Sequence, residues 1–215
     1  MYSKSRNIVI GFHGCDKETR DKIVLGTEPM KIKKNIYDWL GWGLYFWENN
    51  YERALDWAIE KQERDPDSIK EPAVLGAFID LGNCLDLIDT KYLKMLPAAY
   101  NYLVENIKIS GVSELPQNKN IPGNFDLLKR NLDCQVIQTV HALNELPVEN
   151  KDNGTTEKIK YSPFDTVRGV FWEGDELYPG AGFKEKNHIQ ISIINFNCIK
   201  GFFIPRSLEK TFVNP

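Results

Sequence analysis

Residues 41–50 read GWGLYFWENN, a short aromatic run that begins with two spaced glycines and ends in two asparagines. In an extended chain, successive side chains point to opposite faces of a sheet. Leu44 and Phe46 therefore share one face, and Tyr45 and Trp47 share the other. The stretch predicts a strand, and it leaves open whether Tyr45 belongs to the core or forms the wall of a ligand pocket.

The segment that follows, YERALDWAIEK at residues 51–61, predicts a helix. Asn49 is expected to cap its N-terminus, with Glu52 three residues later as in a capping box. Apolar residues then recur at helical spacing, at positions 51, 54, 55, 58 and 59. We therefore expect a helix over residues 50–63 that follows directly on the strand.

Strand patterns lie at both ends of the chain, and helical patterns lie between them. Besides NIVIGFHG (7–14), strands are predicted in VRGVFWEG (167–174), HIQISII (188–194) and CIKGFFIP (198–205). Two further helices are predicted, over 90–109, bent or split at Pro97, and over 125–145. The pattern predicts one α+β domain over residues 1–215, with both ends in one sheet and a helical elaboration over about 88–146.

Composition and charge exclude several classes of function. A net charge of −3 gives no broad basic surface for nucleic acid, although Lys31, Lys33 and Lys34 form a local basic run. The three histidines and four cysteines are scattered without a CxxC, so neither a metal site nor a disulfide framework is expected. No apolar run reaches membrane-span length and no signal-peptide pattern is present, so a cytoplasmic protein is expected, with delivery to another cell as the open alternative.

His13 and Gly14 end the predicted first strand. A histidine in this position is commonly a hydrogen-bonded structural residue, and an aromatic residue such as Tyr45 is commonly part of a core. The alternative is that His13 donates to a ligand hydroxyl while Gly14 lets a flat group approach the backbone. Taken together, the two glycine-marked strands favour a ligand site.

The motifs GFHG (11–14) and GWGLYFWE (41–48), followed by a helix containing ALDWA (54–58), resemble the ADP-ribosyltransferase superfamily. The likeness is to its poly(ADP-ribose) polymerase and diphtheria-toxin-like branch, the His-Tyr-Glu/Gln type. This resemblance implies a split, twisted β-sheet with flanking helices. It also implies NAD as co-substrate, no metal, and a toxin or effector role.

The resemblance also implies roles for individual residues. His13 would hydrogen-bond a ribose hydroxyl of NAD, and the backbone N–H and C=O of Gly14 would pair with the nicotinamide carboxamide. Tyr45, on the strand that Gly43 opens, would stack on the nicotinamide ring, with Trp57 of the next helix behind it. Tyr45 is thereby expected to contact the ligand and to contribute little to the core.

The third motif position differs from the family pattern, which most often has a glutamate there. The matching strand is KNHIQISII, in which His188 aligns with the glutamate and Gln190 lies two residues on, on the same face. Gln190 is our first candidate for the catalytic role, and His188 is the second. A neutral amide stabilises developing positive charge less than a carboxylate does, which favours single transfer or slow hydrolysis.

An acidic loop, FWEGDELYPG, precedes this strand and carries Glu173, Asp175 and Glu176. It is a solvated turn, or else it has the role that the resemblance implies, in which this loop touches the acceptor. A carboxylate from it, with Glu173 the preferred residue, would then replace the missing strand glutamate or act as general base on the acceptor. Arg168 on the strand before it binds either the diphosphate of NAD or a carboxylate of the protein. His141 lies on an amphipathic helix and is expected to be structural.

The sequence therefore predicts a mono-ADP-ribosyltransferase that cleaves the nicotinamide–ribose bond of NAD. The acceptor, whether protein, nucleic acid or small molecule, is not encoded in any readable motif. Two alternatives stay open: an NAD glycohydrolase, which passes ADP-ribose to water, and a catalytically silent module that binds NAD or ADP-ribose. No membrane partner is expected, and the pattern carries no signal for an oligomeric state.

Overall fold

The computed structural model describes residues 8–111, 114–120, 126–152 and 155–206. Five helices lie in these ranges: α1 (Lys17–Val24), α2 (Tyr51–Arg64), α3 (Thr90–Leu93), α4 (Met95–Ser110) and α5 (Asn131–Glu145). The strands are β1 (Ile8–Asp16), β2 (Leu44–Glu48), β3 (Pro72–Asp80), β4 (Cys84–Asp86), β5 (Asn118–Lys119), β6 (Lys129–Arg130), β7 (Val148–Asp152), β8 (Thr155–Ile159), β9 (Thr166–Phe171), β10 (His188–Ile193) and β11 (Ile199–Phe203).

Seven of these strands form one sheet in the order β11-β3-β1-β2-β10-β9-β4. Neighbouring strands are antiparallel except β4 and β9, which are parallel. Strands from both ends of the described chain lie in this sheet, with β3 between β1 and β11. The α+β class predicted from the sequence is therefore confirmed.

The two faces of the sheet carry different cores. On the face that we call the Phe46 face, Leu44 and Phe46 pack with Ile191 and Ile193 of β10. On the opposite face, called the Tyr45 face, Tyr45 packs against an apolar cluster that includes residues of α4 and α5. The alternation predicted for β2 is thus confirmed, and the central helices serve to cover the Tyr45 face.

The helices differ from the prediction mainly at their ends. Asn50, and not Asn49, caps α2, since its side chain accepts from the backbone N–H of Arg53 at 2.9 Å. Asn49 instead has a left-handed backbone, with φ of 50°, which turns the chain from β2 into the helix.

The predicted helix over 90–109 is divided in two. α3 ends at Leu93 and α4 begins at Met95, so Pro97 lies in the first turn of α4, where its missing N–H costs no helical bond. The predicted helix over 125–145 begins at Asn131, because Lys129 and Arg130 pair with β5. In the described ranges, none of the helices is long and apolar enough to cross a membrane.

Candidate functional site

The sheet opens between β1 and β2. In the described chain their ladder holds two residue pairs, Gly11 with Glu48 and Phe12 with Trp47. Two residues further on, the same register would place Gly14 opposite Tyr45, but the strands are not paired there. On its other side, β1 stays paired with β3 as far as Asp16. We call the unpaired gap between the end of β1 and the start of β2 the opening.

The backbone of Gly14 faces this opening. The carbonyl O of Ile10 accepts from the backbone N–H of Asn49 at 2.9 Å, so it points toward β2. Alternate residues of a strand direct their N–H and C=O groups to the same side. Those of Gly14 therefore also point toward β2, where the register with β1 has ended within the described chain. The ladder therefore leaves these two groups of Gly14 without partners on β2 in the described chain.

His13 bridges the opening. Its Nδ1 lies 2.8 Å from the carbonyl O of Tyr45, the group that a continued ladder would have given to Gly14. A carbonyl only accepts, so Nδ1 carries the hydrogen and donates it. Burial lowers the pKa of His13, so at pH 7 the ring is neutral and Nε2 only accepts. In this tautomer Nε2 could only accept from a ligand hydroxyl, whereas the sequence analysis has His13 as a donor.

Tyr45 is part of the fold as well as a neighbour of the opening. Its hydroxyl donates to the carbonyl O of Gly41 at 2.6 Å and accepts from the N–H of Leu40 at 2.7 Å. Burial holds the pKa of this phenol well above its ordinary value, so it stays a donor at neutral pH. The ring packs against the core of the Tyr45 face. The expectation that Tyr45 contributes little to the core is therefore wrong.

Two glycines of the motifs are explained by close packing. A Cβ on Gly14 would lie 2.2 Å from the carbonyl O of Ala54 and 3.1 Å from Cε3 of Trp57. A Cβ on Gly43 would lie 2.2 Å from Oγ of Ser192. Gly14 thus lets α2 approach the sheet, which brings Trp57 against Gly14, and Gly43 lets β2 approach β10.

Replacing Gly14 by alanine is expected to lower the free energy of unfolding by about 3 kcal/mol, since the added methyl group meets backbone and not a movable side chain. Chemical denaturation of the purified variant measures this. Gly182→Ala is the matched control, because a Cβ there meets nothing within 4 Å and should change stability by less than about 0.5 kcal/mol. Equal effects of the two substitutions would contradict the packing of α2 on Gly14.

Gln190 presents its amide on the Tyr45 face. It is paired in register with Trp47 of β2 and with Gly169 of β9, which has no side chain to cover it. The side chain is partly exposed and makes no hydrogen bond within the described chain. His13 lies on the Phe46 face, with its ring 5.7 Å from that of Phe46. His13 and Gln190 therefore lie on opposite faces of the sheet.

His188 is enclosed. Its Nδ1 donates to the carbonyl O of Lys186 at 2.6 Å, and its ring lies among those of Trp39, Trp47 and Phe171 at centroid distances of 6.2, 6.3 and 5.8 Å. Burial lowers the pKa of His188, so the ring is neutral at pH 7. Its Nε2 is buried without a partner in the described chain. Of the two β10 candidates, Gln190 is therefore the one that a ligand can contact without rearrangement.

Glu173 is buried, and Asp175 and Glu176 beside it are exposed. Both carboxylate oxygens of Glu173 accept from Nη2 of Arg53, at 3.1 and 3.0 Å. The nearest oxygen lies 4.0 Å from Nδ1 of His188. For Glu173 the solvated-turn alternative is therefore wrong, and the carboxylate instead forms a buried ion pair between the loop and α2.

Arg168 points away from Gln190. It is paired in register with Ile191, which places it on the Phe46 face. Its guanidinium binds Glu48 through Nε and Nη2 at 2.6 and 2.9 Å, and Asp86 through Nη1 at 3.1 Å. The hydrogen bond to Glu48 raises the pKa of Arg168 further. Of the two roles predicted, binding to protein carboxylates is the one that the structure shows, so a diphosphate role is corrected.

Arg53 and Trp39 are site residues that the sequence analysis missed. Arg53 is 6% exposed, and its Nε and Nη1 are buried without a hydrogen-bond partner in the described chain. The only sequence signal was a charged residue next to the buried alanines of α2, Ala54 and Ala58. Trp39 precedes the GWG motif and donates from Nε1 to the carbonyl O of Leu128, so it depends on a contact distant in sequence.

Two concave regions of the described surface lie outside the opening. One follows α1, and the residues that line it include the ion pair of Lys17 with Glu71. The other, of about 330 Å³, lies beside Trp42 and α5. Fold and site together define a mixed α+β protein with a mostly antiparallel sheet that opens beside a histidine and a tyrosine. No protein-family model matches the chain, and neither a curated protein nor a solved structure matches it significantly.

Proposed function

We propose that this chain is an NAD-dependent mono-ADP-ribosyltransferase with the split sheet of that superfamily. The observation that carries the proposal is the opening between β1 and β2. At this opening the backbone of Gly14 is turned toward β2, and the Nδ1 of His13 takes the carbonyl of Tyr45 in its place. The quoted motifs alone would fit many strands, and the interrupted ladder at both motifs is the additional support that the structure gives.

The residues around the opening suit the chemistry of NAD. The N–H and C=O of Gly14 would pair with the carboxamide of nicotinamide, which offers one acceptor and one donor group. Nε2 of His13 would accept from a ribose hydroxyl. Trp57 lies against Gly14 and would pack on the nicotinamide ring, as would the accessible part of Tyr45. Fixing the ring and the ribose in this way orients the bond between them for cleavage.

The reaction breaks one bond and forms one. The glycosidic electron pair leaves with the nicotinamide nitrogen, and a lone pair of the acceptor forms the new bond to C1′ of the ribose. The acceptor's proton is released to solvent. Gln190 would hold the ribose hydroxyl next to C1′ through its free amide. Because an amide stabilises the oxocarbenium-like state less than a carboxylate, we expect slow, single transfer and no chain growth.

One observation favours the binding-only alternative. Glu173, the carboxylate that could replace the missing strand glutamate, is neutralised by Arg53 and is 8% exposed. If the ion pair persists when NAD binds, Glu173 is not free to support positive charge. A module that binds NAD or ADP-ribose without cleaving it would then result.

Nicotinamide release from NAD by the purified protein tests the proposal, with and without a cell extract as the source of acceptor. Release that depends on the extract identifies a transferase, and label from radioactive NAD marks the acceptor. Release without extract and without self-labelling identifies a glycohydrolase. If calorimetry shows NAD binding but nicotinamide is never released, the silent module is correct. If NAD neither binds nor reacts, the proposal is overturned.

His13→Ala gives a separate check on binding. Because Nε2 would contact a ribose hydroxyl, we expect the Michaelis constant for NAD to rise by about tenfold, equivalent to about 1.4 kcal/mol. A thermal melt must accompany it, since Nδ1 of His13 also tethers Tyr45. A stable variant with unchanged kinetics would remove His13 from the site.

A further inference from the structure

A second concave site lies outside the opening between β1 and β2. It has a volume of about 330 Å³, within the range of pockets for small ligands. Its walls include Trp42 from the GWG motif, Phe164 before β9, and Gln138, His141 and Glu145 from α5, with Lys34 at the same site. None of these residues takes part in the function proposed above.

Polar groups of this second site lack hydrogen-bond partners within the described chain. Trp42 Nε1 and His141 Nε2 are buried and have no hydrogen-bond partner in the described chain. Within the same ranges, the side chains of Gln138, Lys34 and Glu145 make no hydrogen bond or ion pair with another residue. Buried polar groups are paired in most native proteins, and leaving one unpaired costs about 1–3 kcal/mol. Two such groups at one pocket, Trp42 Nε1 and His141 Nε2, therefore point to a ligand.

The chemistry of the lining restricts what that ligand can be. The rings of Trp42 and Phe164 offer flat apolar surface, which suits a planar ring. Burial lowers the pKa of His141, so its ring is neutral at pH 7 and offers one donor and one acceptor. The carboxylate of Glu145 adds acceptors. A ligand ring with an amino group can donate to the acceptors of the site, and its ring nitrogens can accept from the donors.

Lys34 supplies the one positive charge that lines the site. Its Nζ lies 5.2 Å from the centroid of the Trp42 ring, and within the described chain it pairs with no carboxylate. Lys33 is close by in sequence, in a bridge opposite Gly43. An ammonium group beside an aromatic ring suits a ligand that joins a phosphate to a flat ring.

We propose that this pocket binds a nucleotide whose base carries an amino group, either as a free mononucleotide or as one residue of a single strand. The ring lies against Trp42 and Phe164, its amino group donates to Gln138, His141 or Glu145, and its phosphate contacts Lys34. Because adenine, cytosine and guanine carry an amino group and uracil does not, the site prefers AMP, CMP and GMP to UMP. The proposal does not depend on cleavage of NAD.

Calorimetry with AMP, CMP, GMP, UMP, adenosine and inorganic phosphate tests it on the full chain. We expect AMP to bind at least tenfold more tightly than UMP and more tightly than adenosine or phosphate alone. Lys34→Ala should weaken AMP by about tenfold and leave adenosine unchanged, whereas Gln138→Leu should weaken both. The matched controls are Lys31→Ala and Gln135→Leu, which alter an exposed lysine and an exposed glutamine outside the pocket.

Further measurements show where AMP binds and whether the natural ligand is a free nucleotide or part of a strand. Gln190→Leu alters the site of the proposed function and should leave AMP affinity unchanged, so a loss there would assign AMP to the NAD site and overturn the inference. Tighter binding of short oligoadenylate than of AMP identifies a strand as the source, and the reverse identifies a free nucleotide. Absence of AMP binding at millimolar concentration would also overturn the inference. So would an AMP affinity equal to that of the natural protein in the folded Lys34→Ala and Gln138→Leu variants.

Discussion

Replacing Arg53 by leucine is expected to lower the free energy of unfolding by about 3–5 kcal/mol. The side chains of Arg53 and Glu173 are 6% and 10% exposed, and the two oxygens of the carboxylate lie 3.1 and 3.0 Å from one guanidinium nitrogen. Removing the arginine leaves a buried carboxylate, 4.0 Å from Nδ1 of His188, without its counter-charge. Denaturant unfolding of both proteins under one set of conditions measures the difference.

Two controls accompany this substitution: a double variant that also removes Glu173, and a variant that breaks an ion pair on the surface. Arg53→Leu combined with Glu173→Leu removes both charges, so it should recover most of the stability that the single change loses. Lys61→Ala breaks the ion pair with Asp65, whose two side chains are 34% and 46% exposed, and should cost less than about 1 kcal/mol. If Arg53→Leu costs no more than Lys61→Ala, the ion pair with Glu173 is not buried in solution.

The ion pair of Arg53 with Glu173 also positions elements of the candidate site relative to each other. Arg53 lies on α2 and Glu173 in the loop before β10, so the pair ties the helix behind Gly14 to the strand that carries Gln190. Lys186 of the same loop also binds Glu60 of α2, at 2.8 Å. These two ties fix the position of β10 relative to the opening, since both join the same helix to the same loop.

The sequence predicted those elements that repeat at short range. The period of two in GWGLYFWENN and HIQISII and the helical period after Asn50 placed β2, β10 and α2 within a few residues. The sequence did not predict which residues pair across the fold. Arg53 and Glu173 lie 120 residues apart, and the hydrophobic period indicates which face of an element is buried but not which residue lies opposite it. Ion pairs of this kind depend on the register of several strands at once.

Arg168 shows the same limit within a single strand. Alternation alone allows its side chain to lie on either face, and only the register of β9 with β10 places it on the Phe46 face with Ile191. Once there, it meets Glu48 and Asp86 from two other strands. The resemblance named His13, Gly14 and Tyr45 from motifs, whereas the tautomer of His13 and the anchoring of the Tyr45 hydroxyl follow from contacts that motifs do not encode.

Gln190→Leu is expected to reduce nicotinamide release on the order of 100-fold, equivalent to about 2.7 kcal/mol of transition-state stabilisation. Leucine keeps the size of the side chain but can hold no ribose hydroxyl. Gln190→Glu should preserve or raise turnover, because a carboxylate also accepts from the hydroxyl and adds negative charge near C1′. Single-turnover measurements at saturating NAD separate this loss from weaker binding.

The matched controls are Gln135→Leu and Gln135→Glu on the exposed side of α5, which should leave the rate unchanged. If Gln190→Leu retains full activity while Glu173→Gln abolishes it, the catalytic group is the loop carboxylate and the Arg53 ion pair must open in the complex. If instead Gln190→Glu gains activity, the amide occupies the position that a glutamate most often fills in the ADP-ribosyltransferase superfamily. A slow rate in the natural protein, if measured, would then follow from that one difference.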